Sequence, residues 1–389
     1  MISCGEPSGD LYAGALATEI LRADPSSVIT GFGGDRLRAA GASLVGDFSG
    51  LSVTGLLEVA RVLPRTYATY RRLVADAAAT RPDVFVAIDF PDFNFILARA
   101  LRKLGVPVVY YISPQLWAWR RWRMKTMRRI ADRVLVIFRF EEAIYEAAGV
   151  PVQWVGHPLL DVAETPEPRE TFLPSRGLDP ARPVVALLPG SRRNELHAIL
   201  PDLARAAVLI RERLPEVQFI VARAPHLVDA AFQWGGMLRP RATGGVTTDP
   251  VVTVVEGHAD DVLAAADVAL VASGTITVQA ALHECPIVVV YRLSALTYRL
   301  GKPLLHVDTY AMANLVAGRR VVPELMQEAF TPEAVAAEAM RVLTDAAYAA
   351  QVRAGLREVR EKLGTPGASR RAAAAVLEVA RHGRQKPLE

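Results

Sequence analysis

The chain has only two cysteines, Cys4 and Cys285, among its 389 residues. No disulfide framework and no cysteine-based zinc site can be built from them. An excess of one charge is also lacking: 45 lysines and arginines stand against 41 acidic residues, a formal net charge of +4. So small an imbalance gives no reason to expect nucleic acid as a partner, although local basic clusters can meet phosphates or an anionic membrane. Long hydrophobic runs are missing. Segments such as Pro286–Tyr291 fall far short of the ~20 residues that cross a bilayer. The first residues, Met1-Ile2-Ser3-Cys4-Gly5-Glu6, lack the cationic start and apolar centre of a signal peptide. No Gly-x-x-x-x-Gly-Lys-Ser/Thr occurs, which removes an NTPase phosphate loop. These absences describe a globular protein expected in the cytoplasm.

What is present is apolar and strongly patterned. Hydrophobic residues make up 51% of the chain, which excludes disorder. The length exceeds the ~250–300 residues at which a single core stops growing, so two or three domains are expected. Strand candidates are Val84–Ile88, Val106–Ile112, Arg133–Phe138, Pro183–Leu188, Val217–Ala222, Val251–Val255, Val268–Ala272 and Pro286–Tyr291. Each is nearly continuous in apolar residues, as a strand buried on both faces of a parallel sheet must be. Helical patterns such as Asn94–Leu104 and Arg192–Leu214 separate them, so the fold class is α/β with doubly wound sheets.

The proline-rich segment Val162–Pro183 reads as a solvated linker between two such domains, residues 1–162 and 163–344. After about Thr331 strands cease. The helices of residues 345–389 are expected to brace the two sheets or to pair with a second copy of the chain. Only Met1–Cys4 precede the first glycine turn, whereas a strand wants roughly five or six residues. Part of that strand is therefore expected ahead of Met1.

In doubly wound sheets, ligands bind beyond the carboxyl ends of the strands. Two loops of the second half stand there: Pro189-Gly190-Ser191-Arg192-Arg193 and Ser273-Gly274-Thr275. Glycine lets the backbone approach a ligand, hydroxyls and free N–H groups add donors, and Arg192 offers a bidentate grip on phosphate. Taken singly, each is equally well a tight turn with Ser191 or Ser273 as N-cap. Two in one domain favour a bound diphosphate.

The first half also carries polar strand ends. Gly5-Glu6-Pro7-Ser8-Gly9-Asp10 enters the first helix, and Gly31-Phe32-Gly33-Gly34-Asp35 only partly matches a dinucleotide fingerprint. Asp89, in Ile88-Asp89-Phe90-Pro91-Asp92-Phe93-Asn94, sits where a strand ends and has the chemistry of a general base; Asp92 is expected to cap the next helix. Trp117 and Trp119, in Ser113–Trp119, are either a platform for a sugar or acyl chain or plain core. His157 reads as an inter-domain hydrogen-bonding residue rather than a catalyst. Val53, Leu56, Leu57, Ala60, Leu63, Tyr67 and Tyr70 recur at helical spacing, with Pro64 kinking or dividing the helix. That stripe faces either the sheet or lipid. Arg120, Arg121, Arg123, Lys125, Arg128 and Arg129 beside Trp119 and Trp122 form a basic run suited to anionic headgroups or simply to water.

Taken in order, the segments Gly5–Asp10, Leu51–Val59, Ile88–Asn94, Ser113–Trp119, Leu188–Arg192, Ala272–Thr275, Tyr291–Ser294 and Asn314–Arg319 strongly resemble the lipid-A-disaccharide synthases, from Gly5 to about Gln327. The resemblance implies a GT-B type glycosyltransferase: two Rossmann-like domains facing a cleft, with the final helices crossing back. It implies inverting transfer of 2,3-diacylglucosamine from UDP to the 6-hydroxyl of 2,3-diacylglucosamine 1-phosphate. No cofactor and no metal are expected, in keeping with the absence of an Asp-x-Asp motif at a strand end. The expected partners are those two lipid substrates and an anionic membrane, at the cytoplasmic face of the inner membrane.

By this resemblance Asp89 is the base that deprotonates the acceptor. Gly190, Ser191, Arg192, Ser273, Gly274, Thr275, Gln279 and Asn314 bind the UDP donor, and Glu6, Ser8, Asp10, Asn94, Pro114 and Trp119 are acceptor-side candidates. Gln279 departs from the usual glutamate, which in related folds accepts ribose hydroxyls; it keeps an acceptor oxygen and loses the charge. Pro7 and the stretch His306–Ala313 also depart from the family wording. Two other readings share the architecture: a UDP-N-acetylglucosamine 2-epimerase-like isomerase, and a nucleotide-sugar or lipid-binding paralogue without turnover.

Overall fold

The structure, a computed structural model, describes residues 1–48, 56–118, 120–225, 227, 239–240, 251–293 and 309–383; for residues 56–62, 193, 239–240, 251 and 383 only the backbone is described. Among them, Met1–Val162 and the chain from Leu363 onward form one unit, and Ala163–Lys362 a second.

Each unit is built on a parallel sheet. The first contains β1 (Ile2–Cys4), β2 (Thr30–Gly33), β3 (Ser43–Asp47), β4 (Phe85–Ile88), β5 (Val108–Tyr111), β6 (Arg133–Val136) and β7 (Val152–Trp154) in the order β3-β2-β1-β4-β5-β6-β7. The second contains β8 (Val184–Leu188), β9 (Gln218–Arg223), β10 (Arg239–Pro240), β11 (Val251–Glu256), β12 (Val268–Ala272), β13 (Ile287–Tyr291) and β14 (Glu324–Met326) in the order β10-β11-β9-β8-β12-β13-β14. The central strands β4, β5, β8 and β12 are buried at every position. That is why they read as unbroken apolar runs.

Both orders reverse direction at one place. In the first sheet it lies between β1 and β4, where Cys4 pairs with Ile88; in the second it lies between β8 and β12, where Leu188 pairs with Val271. Chains leaving the two central strands at a reversal go to opposite faces of the sheet, which leaves a crevice at the strand ends. The residues just past these four strands are Gly5, Asp89, Pro189 and Ser273.

Three segments differ from the sequence reading. The helix Leu56–Thr80 runs unbroken through Pro64. Pro64 is exposed, on the side where water can make up a lost helical hydrogen bond. The segment read as a solvated linker contains the helix Arg169–Ser175, which buries Phe172 and Leu173. Arg169 fastens it, donating to the carbonyls of Pro180, Ala265 and Arg182 at 3.1, 2.7 and 2.9 Å and pairing with Asp267 at 3.0 Å. The last helices do not act together either. Ala346–Lys362 packs on helices of the second unit, whereas Ala368–Gly383 packs on helix Pro7–Ala23 of the first. Ala372, Ala375, Val376 and Val379 are buried there, so this last helix returns to the first unit.

The loop after β2 is held by Asp10. Its Oδ1 accepts from the N–H groups of Gly34 (2.7 Å) and Leu37 (3.2 Å), and its Oδ2 from that of Arg36 (2.9 Å). Replacing Asp10 by Ala strands these donors next to a buried site and is expected to lower unfolding free energy by about 2–4 kcal/mol. Urea denaturation followed by circular dichroism checks it; a loss under ~0.5 kcal/mol would refute the assignment.

Candidate active site

At the first reversal the backbone of Asp89 is left-handed, with φ +45°, and Phe90 follows at φ +47°. Such residues persist only where their surroundings over-determine them. Asn94 and Tyr110 supply that constraint. The Asp89 carbonyl accepts from Asn94 Nδ2 and from the Tyr110 hydroxyl, both at 2.9 Å. Asn94 is fully buried; its Oδ1 accepts from Ser3 Oγ at 2.7 Å, and its Nδ2 also reaches the carbonyls of Ser3 and Ile88 at 3.3 Å. Asn94 thus acts on the strand ends themselves. Gly5 is required for the same corner, since a Cβ there would stand 2.3 Å from the Phe90 ring.

The Asp89 side chain is half-buried. Burial, and next the charge of Asp89, push the phenols of Tyr12 and Tyr110 well above their usual range, so both stay protonated. Glu6 and Ser8 lie at the start of the adjoining helix and are half-buried. Burial lowers His157 to about 3, so it is neutral. Its Nδ1 accepts from the Leu159 N–H at 3.2 Å, and its ring lies edge-on to Tyr12 and tilted against Phe138.

The loop after β5 is anchored from beneath. The Tyr145 hydroxyl donates to the Pro114 carbonyl at 3.1 Å and is hydrogen-bonded to Ser113 Oγ. The Trp117 indole donates to Glu141 at 3.1 Å. Burial raises Glu141 to about 7, against the opposing pull of that indole and of the Phe138 and Ile137 N–H groups. Pro114 and Trp117 are therefore core, while Trp119 lies outside the described residues. Asp92 does not cap its helix as expected. It pairs instead with Arg120 at 2.9 Å and Arg123 at 2.5 Å, which draws the basic run against helix Pro91–Lys103.

At the second reversal the two glycine loops lie side by side. A Cβ on Gly190 would stand 3.5 Å from that of Ala272 and 2.7 Å from Glu195 Oε2, and Gly190 has φ +111°. Glycine there is demanded by the turn itself. Gly274 is different. Its φ is not positive, and a Cβ on it would meet no atom of the described residues within 4 Å. Among the described residues neither a positive φ nor close packing accounts for this glycine. Arg192 Nη1 donates to Glu195 Oε1 at 3.0 Å, which holds the guanidinium over the start of helix Arg193–Arg213. Ser191 and Thr275 are exposed, Ser273 half-buried.

Asn314 is joined to these loops through Thr277, whose Oγ1 donates to the Gly274 carbonyl at 3.0 Å and accepts from the Ala313 N–H at 3.4 Å. The Asn314 side chain itself is spent on the protein: Oδ1 accepts from the N–H groups of Val321 and Val322, and Nδ2 donates to Val322 and Glu324. Gln279 Nε2 donates to Asp260 Oδ1 at 2.7 Å, and His283 Nε2 stands 2.6 Å from the same oxygen. Sequence reasoning missed Asp260, His283, Thr277 and Glu195. Only the acidic pair Asp260-Asp261 at a helix start hinted at them, and that pattern is common. Among the described residues no three His, Cys, Asp or Glu side chains are placed to hold a metal ion, and no helix is long and apolar enough to cross a membrane.

A family profile described as lipid-A-disaccharide synthetase matches residues 1–379. The lipid-A-disaccharide synthase of Geobacter sulfurreducens is 45% identical over 382 residues, covering 97% of this chain and 96% of that protein. That of Koribacter versatilis is 43% identical over 389 residues, with 98% of each covered. Among solved structures, the UDP-GlcNAc 2-epimerase from Neisseria meningitidis bound to UDP-GlcNAc aligns over 97% of this chain and 99% of its own, with TM-score 0.68 and 11% identity. The calicheamicin glycosyltransferase CalG4 aligns over 99% and 98%, with TM-score 0.59 and 17% identity. These structural likenesses show the fold, the GT-B type, and an isomerase and a transferase share it equally. Identity along the whole sequence decides between them. The chain belongs to the lipid-A-disaccharide synthetase family and is a hexosyltransferase of lipid A synthesis.

Proposed function

We propose that the chain moves 2,3-diacylglucosamine from UDP to the 6-hydroxyl of 2,3-diacylglucosamine 1-phosphate, with inversion and without a metal ion. The observation that carries this reading is the meeting of the Gly190–Arg192 and Ser273–Thr275 loops at the second reversal, with Gly274 uncrowded by any described residue. The loops' N–H groups and hydroxyls, with Arg192, take the diphosphate. They stabilise the negative charge that grows on UDP as the bond from its β-phosphate oxygen to the sugar's C1 breaks, a contribution of several kcal/mol in a preorganised site. Gln279 receives a ribose hydroxyl, and Asn314 supports the loop from behind through Thr277.

Asp89 takes the proton of the acceptor 6-hydroxyl, whose oxygen attacks C1 from the side opposite the departing UDP. Glu6 and Ser8, beside it, are the acceptor-side contacts. Asp10, Asn94 and Pro114 contribute by holding these loops. The paralogue without turnover is separated from this reading by radiolabelled transfer between the two lipid substrates, with product formation unchanged by a chelator.

The lipid substrates place the enzyme at a membrane, at the cytoplasmic face of the inner membrane. Leu63, Tyr67, Ile96 and Trp122 are all more than half exposed, on helices that pack in succession on one another. Exposed Arg65, Arg71, Arg72, Lys125 and Arg129 accompany them. Apolar side chains flanked by cations suit an anionic lipid surface. The side chains of Leu56 and Leu57 lie outside the described residues.

Asp89→Asn is expected to cut turnover at least ~100-fold, the lower end of positioned proton transfer, while leaving UDP affinity nearly intact. Steady-state kinetics with calorimetric UDP titration checks both halves. Arg192→Ala is expected to weaken UDP binding by roughly ten- to a hundredfold, the range of a charge-assisted hydrogen bond. Unchanged affinity removes the diphosphate from that loop. Changing Leu63, Tyr67 and Trp122 together to Ser is expected to reduce co-sedimentation with phosphatidylglycerol vesicles several-fold at unchanged Tm. A fall in Tm instead identifies these side chains as core.

A further inference from the structure

Gln279 lies one helical turn after Thr275, so the two side chains share a face of the helix that follows the donor loop. Its amide is not free to choose which end it presents. Asp260 Oδ1 stands 2.7 Å from the amide nitrogen, and an ionised carboxylate can only accept, so the NH2 end must point at Asp260. A planar amide then turns its oxygen away from Asp260. The acidic partner is itself held from two further sides: His283 Nε2 lies 2.6 Å from Oδ1, and the Glu164 N–H donates to Oδ2 at 3.2 Å. Asp260 and His283 are both largely buried, with side-chain exposures of 13% and 9%. Burial works against the charge, but the hydrogen bonds from His283 and Gln279 outweigh it and hold the Asp260 carboxyl below its usual range.

We propose that Asp260 is a positioning residue for the donor site: backed by His283, it locks the Gln279 amide so that the oxygen, an acceptor, is offered to the vicinal hydroxyls of the nucleotide's ribose. This rests on the UDP reading of the loops above. The arrangement also accounts for the glutamine. A glutamate at 279 would bring a second carboxylate within hydrogen-bonding reach of Asp260, and two such neighbours resist both being ionised. The negative charge of this corner resides on Asp260, one layer behind the residue that faces the ligand.

The test uses the full chain, calorimetric titration with UDP and with 2′,3′-dideoxy-UDP, and four proteins. The original is expected to prefer UDP by about tenfold or more, the worth of a satisfied hydrogen bond against a stranded acceptor. In Asp260→Asn the carboxamide can meet either end of Gln279. That preference should fall several-fold while dideoxy-UDP affinity stays put. Gln279→Glu should bind UDP more weakly than the original, and adding Asp260→Asn to it should restore binding. The same substitution therefore harms one background and helps the other, which a purely structural role for Asp260 would not produce. Should Asp260→Asn fold poorly, His283→Gln carries the test through its smaller loss of preference. An unchanged preference in the folded single variants, or an equal loss for both nucleotides, overturns the proposal. No UDP binding by the original protein overturns the donor reading itself, and this inference with it.

Discussion

Two consecutive non-glycine residues in the left-handed region, Asp89 and Phe90, cost of the order of 1–3 kcal/mol each. The first unit is arranged to hold them there. Asn94 Nδ2 is shared among three carbonyls, at Ser3, Ile88 and Asp89, so a single buried amide ties the ends of β1 and β4 to the helix that follows. The Tyr110 hydroxyl brings in β5. Three neighbouring strands thereby agree on the direction of one carbonyl, and the Asp89 side chain follows from it. The constraint explains Gly5, which has to make room for the Phe90 ring, and the protonated phenols around the carboxylate, which need no counter-ion of their own.

The two strand reversals are alike in topology and unlike in what their glycines do. Gly5 and Gly190 are imposed from within, one by an aromatic ring and the other by a left-handed turn closed against Glu195. No described residue crowds Gly274. A sequence shows the same letter in all three places, and only the surroundings separate a glycine that packing requires from one that leaves space for a ligand. The first unit holds the strained pair at its reversal, and under the proposed reading the uncrowded glycine of the second leaves room for the diphosphate.

Legibility in the sequence followed burial. The central strands announced themselves because both their faces are covered, and Asp89, Gly190 and Ser273 could be placed because each sits just past such a run. β3, β7 and β14 escaped notice: they are short strands towards the sheet edges, only partly buried, and lack a continuous apolar signal. The helix inside the supposed linker was hidden for a related reason. Its stability comes from Arg169 reaching partners up to 98 residues away, which no local pattern displays. The same distance problem concealed Asp260, whose partners are Glu164, 96 residues before it, and Gln279 and His283, 19 and 23 residues after it. Asn94 could be singled out by position, but its buried role towards Ser3 and Asp89 depends on a pairing 91 residues apart.

A fold shared by epimerases and glycosyltransferases separates what is common to them from what is not. A loop pair that grips a diphosphate is indifferent to what becomes of the sugar attached to it, so the second unit's architecture alone cannot choose between isomerisation and transfer. The choice has to be made by the group that supplies or removes a proton and by whatever admits the second substrate. In this chain the strained carboxylate lies in the first unit, as do the exposed apolar and cationic side chains of the helices beyond it. An enzyme whose acceptor carries acyl chains needs those two features in one domain, because the hydroxyl must reach the base while its chains stay in an apolar environment. Donor grip and acceptor chemistry can then diverge separately: under the proposed reading Gln279 and Asp260 serve the donor from the second unit and Asp89 serves the acceptor from the first.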